Sequence, residues 1–166
     1  RLVVAQPLGL NRKASILHHL VAQAQHEVLV ISDSDMRVTP DYLQRVVAPL
    51  ADRSVGFVNC LYRGEEPLTL TARLEALYMG ATFLPSVVVA QWLMHMRAGM
   101  GATMVLRRGD LNRMGGFAAI GDYLADDYEV GARIGALGLR GHLSNYVVAS
   151  ILGATTFQDQ WGREVR

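Results

Sequence analysis

Asp33 and Asp35 stand one residue apart where the apolar run "EVLVIS" (27–32) gives out, and Asp126 and Asp127 are adjacent in "ADDYEV" (125–130). Carboxylates at i and i+2 on an unwinding strand end can aim into the same space. Such hard oxygen donors suit Mg²⁺ or Mn²⁺ beside a phosphate oxygen. The competing reading makes Asp33 and Asp35 ordinary loop formers and Asp127 an acid favoured by a helix N-terminus. Arg163 and Arg166 are three apart, so one helical turn puts both on one side. Guanidinium forks there suit a diphosphate, although charges in a terminal segment are ordinarily solvated.

Two chemistries end an apolar strand in Asp-x-Asp. An aspartate-nucleophile phosphatase also carries a later acidic motif, which "GDYLADD" (121–127) imitates. That chemistry needs a lysine between its acidic motifs, and the only lysine, Lys13, lies upstream of both. Its usual Gly-Thr is replaced by Met36-Arg37. Charge balance therefore rejects it. Transfer of a sugar from a nucleotide diphosphate needs a metal near Asp33 and Asp35, a base for the acceptor hydroxyl, and cations for the leaving group. The chain has candidates for all three.

The elements that would carry these residues alternate. "LVVA" (2–5) reads as a strand before a helix at about 12–25 that Asn11 can cap, with Leu17, Leu20, Val21 and Ala24 on one face. "EVLVIS" precedes a helix with Thr39 as N-cap, Pro40 at its first position, and Leu43, Val46, Val47 and Leu50 on its apolar face. "VGFVNCLY" (55–62) is a third strand, followed by a helix from about 69 to 80. "ATMVLRR" (102–108) is a strand, and "GDLNRMGGF" (109–117) a short helix broken at Gly115-Gly116. Residues 125–138 form a helix ended by Gly138, and 139–150 a hairpin or last strand. Strand–helix alternation predicts an α/β fold with a mostly parallel sheet.

With 166 residues, a single domain over 1–166 is expected. The formal charge of +1 gives no footprint for nucleic acid. Cys60, the one cysteine, excludes an internal disulfide and a multi-Cys metal site, and its apolar neighbours predict a buried thiol. His18, His19, His26, His95 and His142 show no ligand spacing. No apolar span reaches the roughly 20 residues of a transmembrane helix, the nearest being 80–96, interrupted by Pro85, Gln91 and His95. Residues 76–104 carry Met79, Met94, Met96, Met100 and Met104 with Phe83 and Trp92, which suits either a core or an adaptable surface at a bilayer. The opening "RLVVAQPLG" starts inside a strand, as expected of a piece of something longer.

The strings "NRKASIL", "ISDSDMRVTPDYL", "GATMVLRRGDLNRMGGF", "ADDYEVGARI" and the terminal "REVR" resemble, in order and over nearly the whole chain, the ceramide glucosyltransferase-like group. Bacterial members that glycosylate hopanoids look as similar as those acting on ceramide. The resemblance implies a GT-A, Rossmann-like sheet flanked by helices and an inverting transfer to a lipid hydroxyl. The donor is a nucleotide-diphosphate sugar, UDP-linked, carrying a hexose or N-acetylhexosamine. The implied cofactor is Mg²⁺ or Mn²⁺, and the implied place is a membrane surface, on the cytoplasmic face of a bacterial inner membrane.

Residue by residue, the resemblance makes Asp35 the main metal ligand. Asp33 contacts sugar or ribose and supports the metal. Asp127 is the base and Asp126 its acidic neighbour. Gly115, Gly116 and Phe117 lie beside the two sugars, and Asn11 and Lys13 face the nucleotide or donor sugar. Arg163 and Arg166 match an Arg-x-x-Arg-Trp motif over the diphosphate, whose Trp would be the next residue. The group's first aspartate and flanking membrane segments have no counterpart in these residues, so the isolated chain is not expected to turn over. A free aspartate, with a pKa of about 3.9, is a weak base, and burial beside Asp126 is expected to raise that of Asp127. The rival from another class is a non-catalytic lipid-binding scaffold with the same fold.

Overall fold

The computed structural model describes residues 5–94 and 99–164. Five strands form one sheet, β1 (Val28–Ser32), β2 (Met36–Arg37), β3 (Val55–Glu65), β4 (Thr103–Arg107) and β5 (Arg140–Ile151). They lie in the order β1-β4-β3-β5-β2. The strand expected at 2–5 falls largely outside the described residues.

Helices cover both faces, and the side-chain alternation of the strands explains why. Leu29, Ile31, Phe57, Met104 and Leu106 point to one face and bury against α1 (Arg12–Gln23), α5 (Arg108–Arg113), Phe117 and α6 (Asp126–Ala136). Val58, Cys60, Val105 and Val148 point to the other and meet α2 (Tyr42–Val47). Val55 joins this second face although Phe57 is on the first, because a register shift separates the two residues. Burial pushes the Cys60 thiol up to about 11, as fits an inert core residue.

The expected α/β fold holds, but its sheet is not mostly parallel. β3 and β5 run parallel, while β1–β4, β3–β4 and β2–β5 are antiparallel. Alternation of elements fixes their order and not their direction. After β3 the chain does not cross back over the sheet. It runs through α3 (Leu70–Tyr78), a π turn (Met79–Phe83) and α4 (Leu84–Met94), then enters β4 against both neighbours. The carboxyl ends of β1, β3 and β5 therefore share one edge of the sheet with the start of β4.

Other expectations shift. The second helix begins at Tyr42, after Asp41, because the Thr39 hydroxyl bonds the Asp41 carboxylate instead of a helical N–H. Its buried face is Tyr42, Val46 and Leu50, and Leu43 is exposed. Pro85 does not interrupt the third helical stretch: Leu70–Leu93 is continuous and, by length and composition, long and apolar enough to cross a membrane. Only 6% of its most apolar window is buried, so it is no core helix. The methionine-rich segment divides, with Met100 and Met104 buried and Leu77, Trp92 and Leu93 exposed. Of the two readings of 139–150, the last strand is the one found, Arg140–Ile151.

Candidate active site

Asp33, Asp35, Tyr62, Glu75, Asp127 and Ser150 line one open cleft of about 310 Å³ at the shared edge of the sheet. Residues distant in sequence thus meet where β1 ends. Ser32 is the last paired residue of β1, opposite Thr103, and the Asp33 N–H then reaches the Ala102 carbonyl at 3.4 Å. Beyond it the strand turns, the Met36 N–H bonding the Asp33 carbonyl at 3.4 Å, and re-pairs as β2 with β5.

Each carboxylate is held differently. Lys13, on α1, donates to Asp33 Oδ1 at 2.9 Å and to the Gly101 carbonyl at 3.4 Å. Asp35 is fixed by β5: its carbonyl accepts from the Ile151 N–H at 2.9 Å, and its Oδ2 from the Ser150 hydroxyl at 3.1 Å. Asp127 is the second residue of α6, and its Oδ1 accepts from the Tyr128 N–H at 2.8 Å. Its Oδ2 lies toward Gly101, where an added Cβ would stand 3.4 Å away. The burial expected for Asp127 falls on its neighbour. Asp126 is 9% exposed with Oδ2 unpaired, and burial, reinforced by the Asp127 charge and opposed by Lys13, raises its pKa. Tyr62 is likewise pushed up, chiefly by burial and then by the charges of Asp127 and Asp33.

Several other residues of the sequence reading are not brought to this cleft. Asn11 caps α1, accepting from the Ala14 N–H at 2.9 Å, and clasps the Tyr123 carbonyl at 2.7 Å. Gly115 and Gly116, at φ +96° and +68°, make the turn after α5 and line a separate hollow beside His18 and Arg108, while Phe117 is core. The Arg163 backbone belongs to α7 (Phe157–Glu164), but its side chain, like the whole of Arg166, lies outside what the structure describes, so neither is placed relative to the cleft.

Gly99, Gly101 and Ser150 escaped the sequence reading. A Cβ on Gly99 would stand 2.3 Å from the Asp127 carbonyl oxygen, so only glycine admits the start of α6 so close. A Cβ on Gly101 would stand 3.2 Å from Lys13 Nζ, inside the charged cluster. The sole signal was the spacing "GMG" (99–101) just before a strand, which does not say what lies opposite. Gly99→Ala is expected to shift Asp127 and cost about 1–3 kcal/mol of stability, read as a lower Tm together with lost activity. An unchanged Tm would show that the two segments are not in contact.

The cleft fits a divalent cation in one way only. Among the described residues no group of three or more His, Cys, Asp and Glu is placed to hold a metal alone. Mg²⁺ and similar ions are often bound by one or two carboxylates, with phosphate oxygens and water completing the shell. Asp35 and Asp33 supply that share. Lys13 covers one oxygen of Asp33, which leaves Asp35 the better placed of the two.

A mixed sheet with helices on both faces and acidic residues at its carboxyl edge fits the GT-A class of glycosyltransferases, and the likeness to solved members assigns the fold to it. The chain belongs to glycosyl transferase family 21, whose sequence profile matches residues 1–166. It is similar to the mannosyltransferase PcManGT from Pyrobaculum calidifontis, solved with GDP-Man and Mn²⁺. The identity is 26% and the TM-score 0.62, over 82% of this chain and 35% of that one. Glucosyl-3-phosphoglycerate synthase from Mycobacterium tuberculosis, with Mn²⁺ and UDP-Glc, is 18% identical with a TM-score of 0.52, over 98% of this chain and 53% of that one. At that identity the likeness is one of fold. The chain spans 35% and 53% of the lengths of these two proteins.

Proposed function

We propose that the protein is an inverting, metal-dependent glycosyltransferase acting on a lipid at a membrane surface. It moves a hexose or N-acetylhexosamine from a UDP-linked sugar to a ceramide- or hopanoid-type hydroxyl. One observation carries this reading: Asp127 and the Asp33/Asp35 pair line the same cleft from opposite parts of the chain. In the proposed step, the Asp127 carboxylate takes the acceptor hydroxyl's proton. The oxygen forms its bond to the anomeric carbon from the face opposite the phosphate, and the bond to phosphate breaks with its electron pair leaving on the diphosphate. Mg²⁺ or Mn²⁺ on Asp35 and Asp33, when bound, supplies charge stabilisation to that leaving group. Arg163 and Arg166 would add guanidinium donors.

The lipid and membrane parts rest on the helix Leu70–Leu93. Apart from Arg73, its most exposed large side chains are apolar, Leu77 at 64% and Trp92 at 76%, while Glu75 and Met79 of the same helix enter the cleft. α4 has no polar face, and a helix apolar all round and unburied in protein is one that lipid can bury. A lipid could keep its apolar tail along this helix while its hydroxyl entered the cleft beside Asp127. The test is lipid mass spectrometry on cells with and without the full-length protein, coupled to UDP-sugar consumption in their membranes. A new lipid heavier by one sugar, formed only with Mg²⁺ or Mn²⁺, is expected. Metal-independent lipid binding without sugar transfer would favour a scaffold instead.

A further inference from the structure

Exposure along the helix Leu70–Leu93 alternates with helical period from end to end. Ala72, Ala76, Phe83 and Val87 form an inner stripe that is buried or half-buried, while Leu74, Leu77, Val88 and Trp92 point outward. The inner stripe rests on the domain. Ala76 packs on β3, where a Cβ at Gly64 would stand 3.0 Å from the Ala76 Cβ. Phe83 packs on Tyr62 of β3 with ring centroids 4.8 Å apart, and Met79 lines the cleft between these two contacts. Gln91, whose amide is costly to place in an apolar medium, also falls on the inner stripe.

Both ends of the helix are tied to the same domain. At the start, the Leu68 N–H bonds the Gly153 carbonyl at 2.9 Å, and the Thr69 hydroxyl bonds the Thr155 carbonyl at 2.5 Å. At the other end, five peptide steps separate Met94 from Gly99, which packs on the first turn of α6 beside Asp127. Five steps reach at most about 18 Å. Beyond Phe83, which Tyr62 pins, the helix advances only about 16 Å to Met94. Crossing the hydrocarbon core takes about 30 Å. The segment therefore has the length and the mean hydropathy of a span, 1.4 over its most apolar window, but is held too close to the sheet to cross.

We infer that the helix Leu70–Leu93 lies flat in one leaflet of a bilayer, its outer stripe sunk into the boundary between headgroups and acyl chains, and holds the mouth of the cleft at headgroup depth. The inference rests on the membrane part of the reading above and sharpens it: the helix meets lipid from one side and does not span. The chemistry of the outer stripe favours lipid over a protein partner. It is a line about 36 Å long, not a compact patch, of aliphatic side chains joined by Tyr78 and Trp92, ring types that suit the interface. Its polar members fit the same place. The Ser86 hydroxyl is spent on the Thr82 carbonyl at 2.7 Å, and exposed Arg73 has a stem long enough to lift its charge to lipid phosphate. Since Glu75 and Met79 of the helix line the cleft with Asp127, a lipid hydroxyl at headgroup depth would enter beside the base.

The test puts one nitroxide at a time on the full-length protein in vesicles of phosphatidylcholine and phosphatidylglycerol, with every other accessible cysteine replaced. Leu74→Cys, Val88→Cys and Trp92→Cys carry it on the outer stripe, and Val87→Cys on the inner one. Paramagnetic resonance with O₂ and with a water-soluble nickel chelate as collision partners reads the depth of each label. The three outer labels are expected about 5–10 Å below the phosphates and within a few ångströms of one another, with the inner label shielded from both partners. A depth difference of roughly 27 Å between the labels at Leu74 and Trp92, that of 18 residues of a spanning helix, overturns the inference and leaves the membrane reading standing. Outer labels open to the chelate as in water overturn the inference together with that membrane reading. Outer labels shielded from both partners would reveal a protein partner or a second copy, and overturn the inference alone. Sugar transfer by the unlabelled protein in the same vesicles decides the transferase chemistry independently.

Discussion

Asp127→Asn in the full-length protein is expected to slow sugar transfer by about 10²–10⁴-fold, the usual contribution of a positioned general base. UDP binding in the presence of Mn²⁺ should be unaltered, because Asp35 is held by β5 and not by α6. The substitution keeps the shape of the side chain and an acceptor for the Tyr128 N–H, so folding should be preserved. It removes only the capacity to take a proton. The neighbouring acid separates chemistry from structure. Asp126 is buried, so it is the poorer candidate for a group that must meet substrate. Near-normal turnover in Asp127→Asn would remove Asp127 from the chemistry altogether.

Asp35→Ala is expected to abolish metal-dependent binding of UDP and to leave the fold intact. Asp35 contributes its carbonyl to the Ile151 N–H, and that backbone bond survives the change. What is lost is the carboxylate that Ser150 orients. Ser150→Ala should weaken Mn²⁺ affinity more mildly, by about tenfold, as removal of groups that orient a metal ligand does. Titration calorimetry with UDP, with and without Mn²⁺, reads both variants. Equal metal-dependent affinity in Asp35→Ala and the unmodified protein would show that the metal is held elsewhere.

Three of the cleft's carboxylates were legible in sequence because each ends or begins an element, whereas Glu75, in the middle of α3, was not. Asp33 and Asp35 close an apolar strand, and Asp127 opens an amphipathic helix. Periodicity likewise located α1, β3, β4 and α6 to within a few residues. The direction of β4 was not legible, since it depends on where the helix of residues 70–93 goes in space and not on any local pattern. That helix was itself hidden, because Pro85 reads as a break, yet it sits at the second residue of α4, directly after the π turn. Ser150 was invisible for the opposite reason: a serine late in an apolar strand gains meaning only from its cross-strand neighbour Met36 and the adjacent Asp35. Gly99 and Gly101 matter through contacts with Asp127 and Lys13, which no local rule encodes. The Gly-Gly-Phe at 115–117 was conspicuous, but its backbone serves a turn and its ring the core, apart from the acidic cleft.

The most direct test is to locate Mn²⁺ by anomalous scattering in crystals of the full-length protein grown with UDP. One peak is expected within roughly 2.0–2.3 Å of an Asp35 carboxylate oxygen, the bonding range for small hard cations, and in the same cleft as Asp127. A Mn²⁺ peak away from Asp33 and Asp35, or UDP bound with no metal beside them, would contradict it.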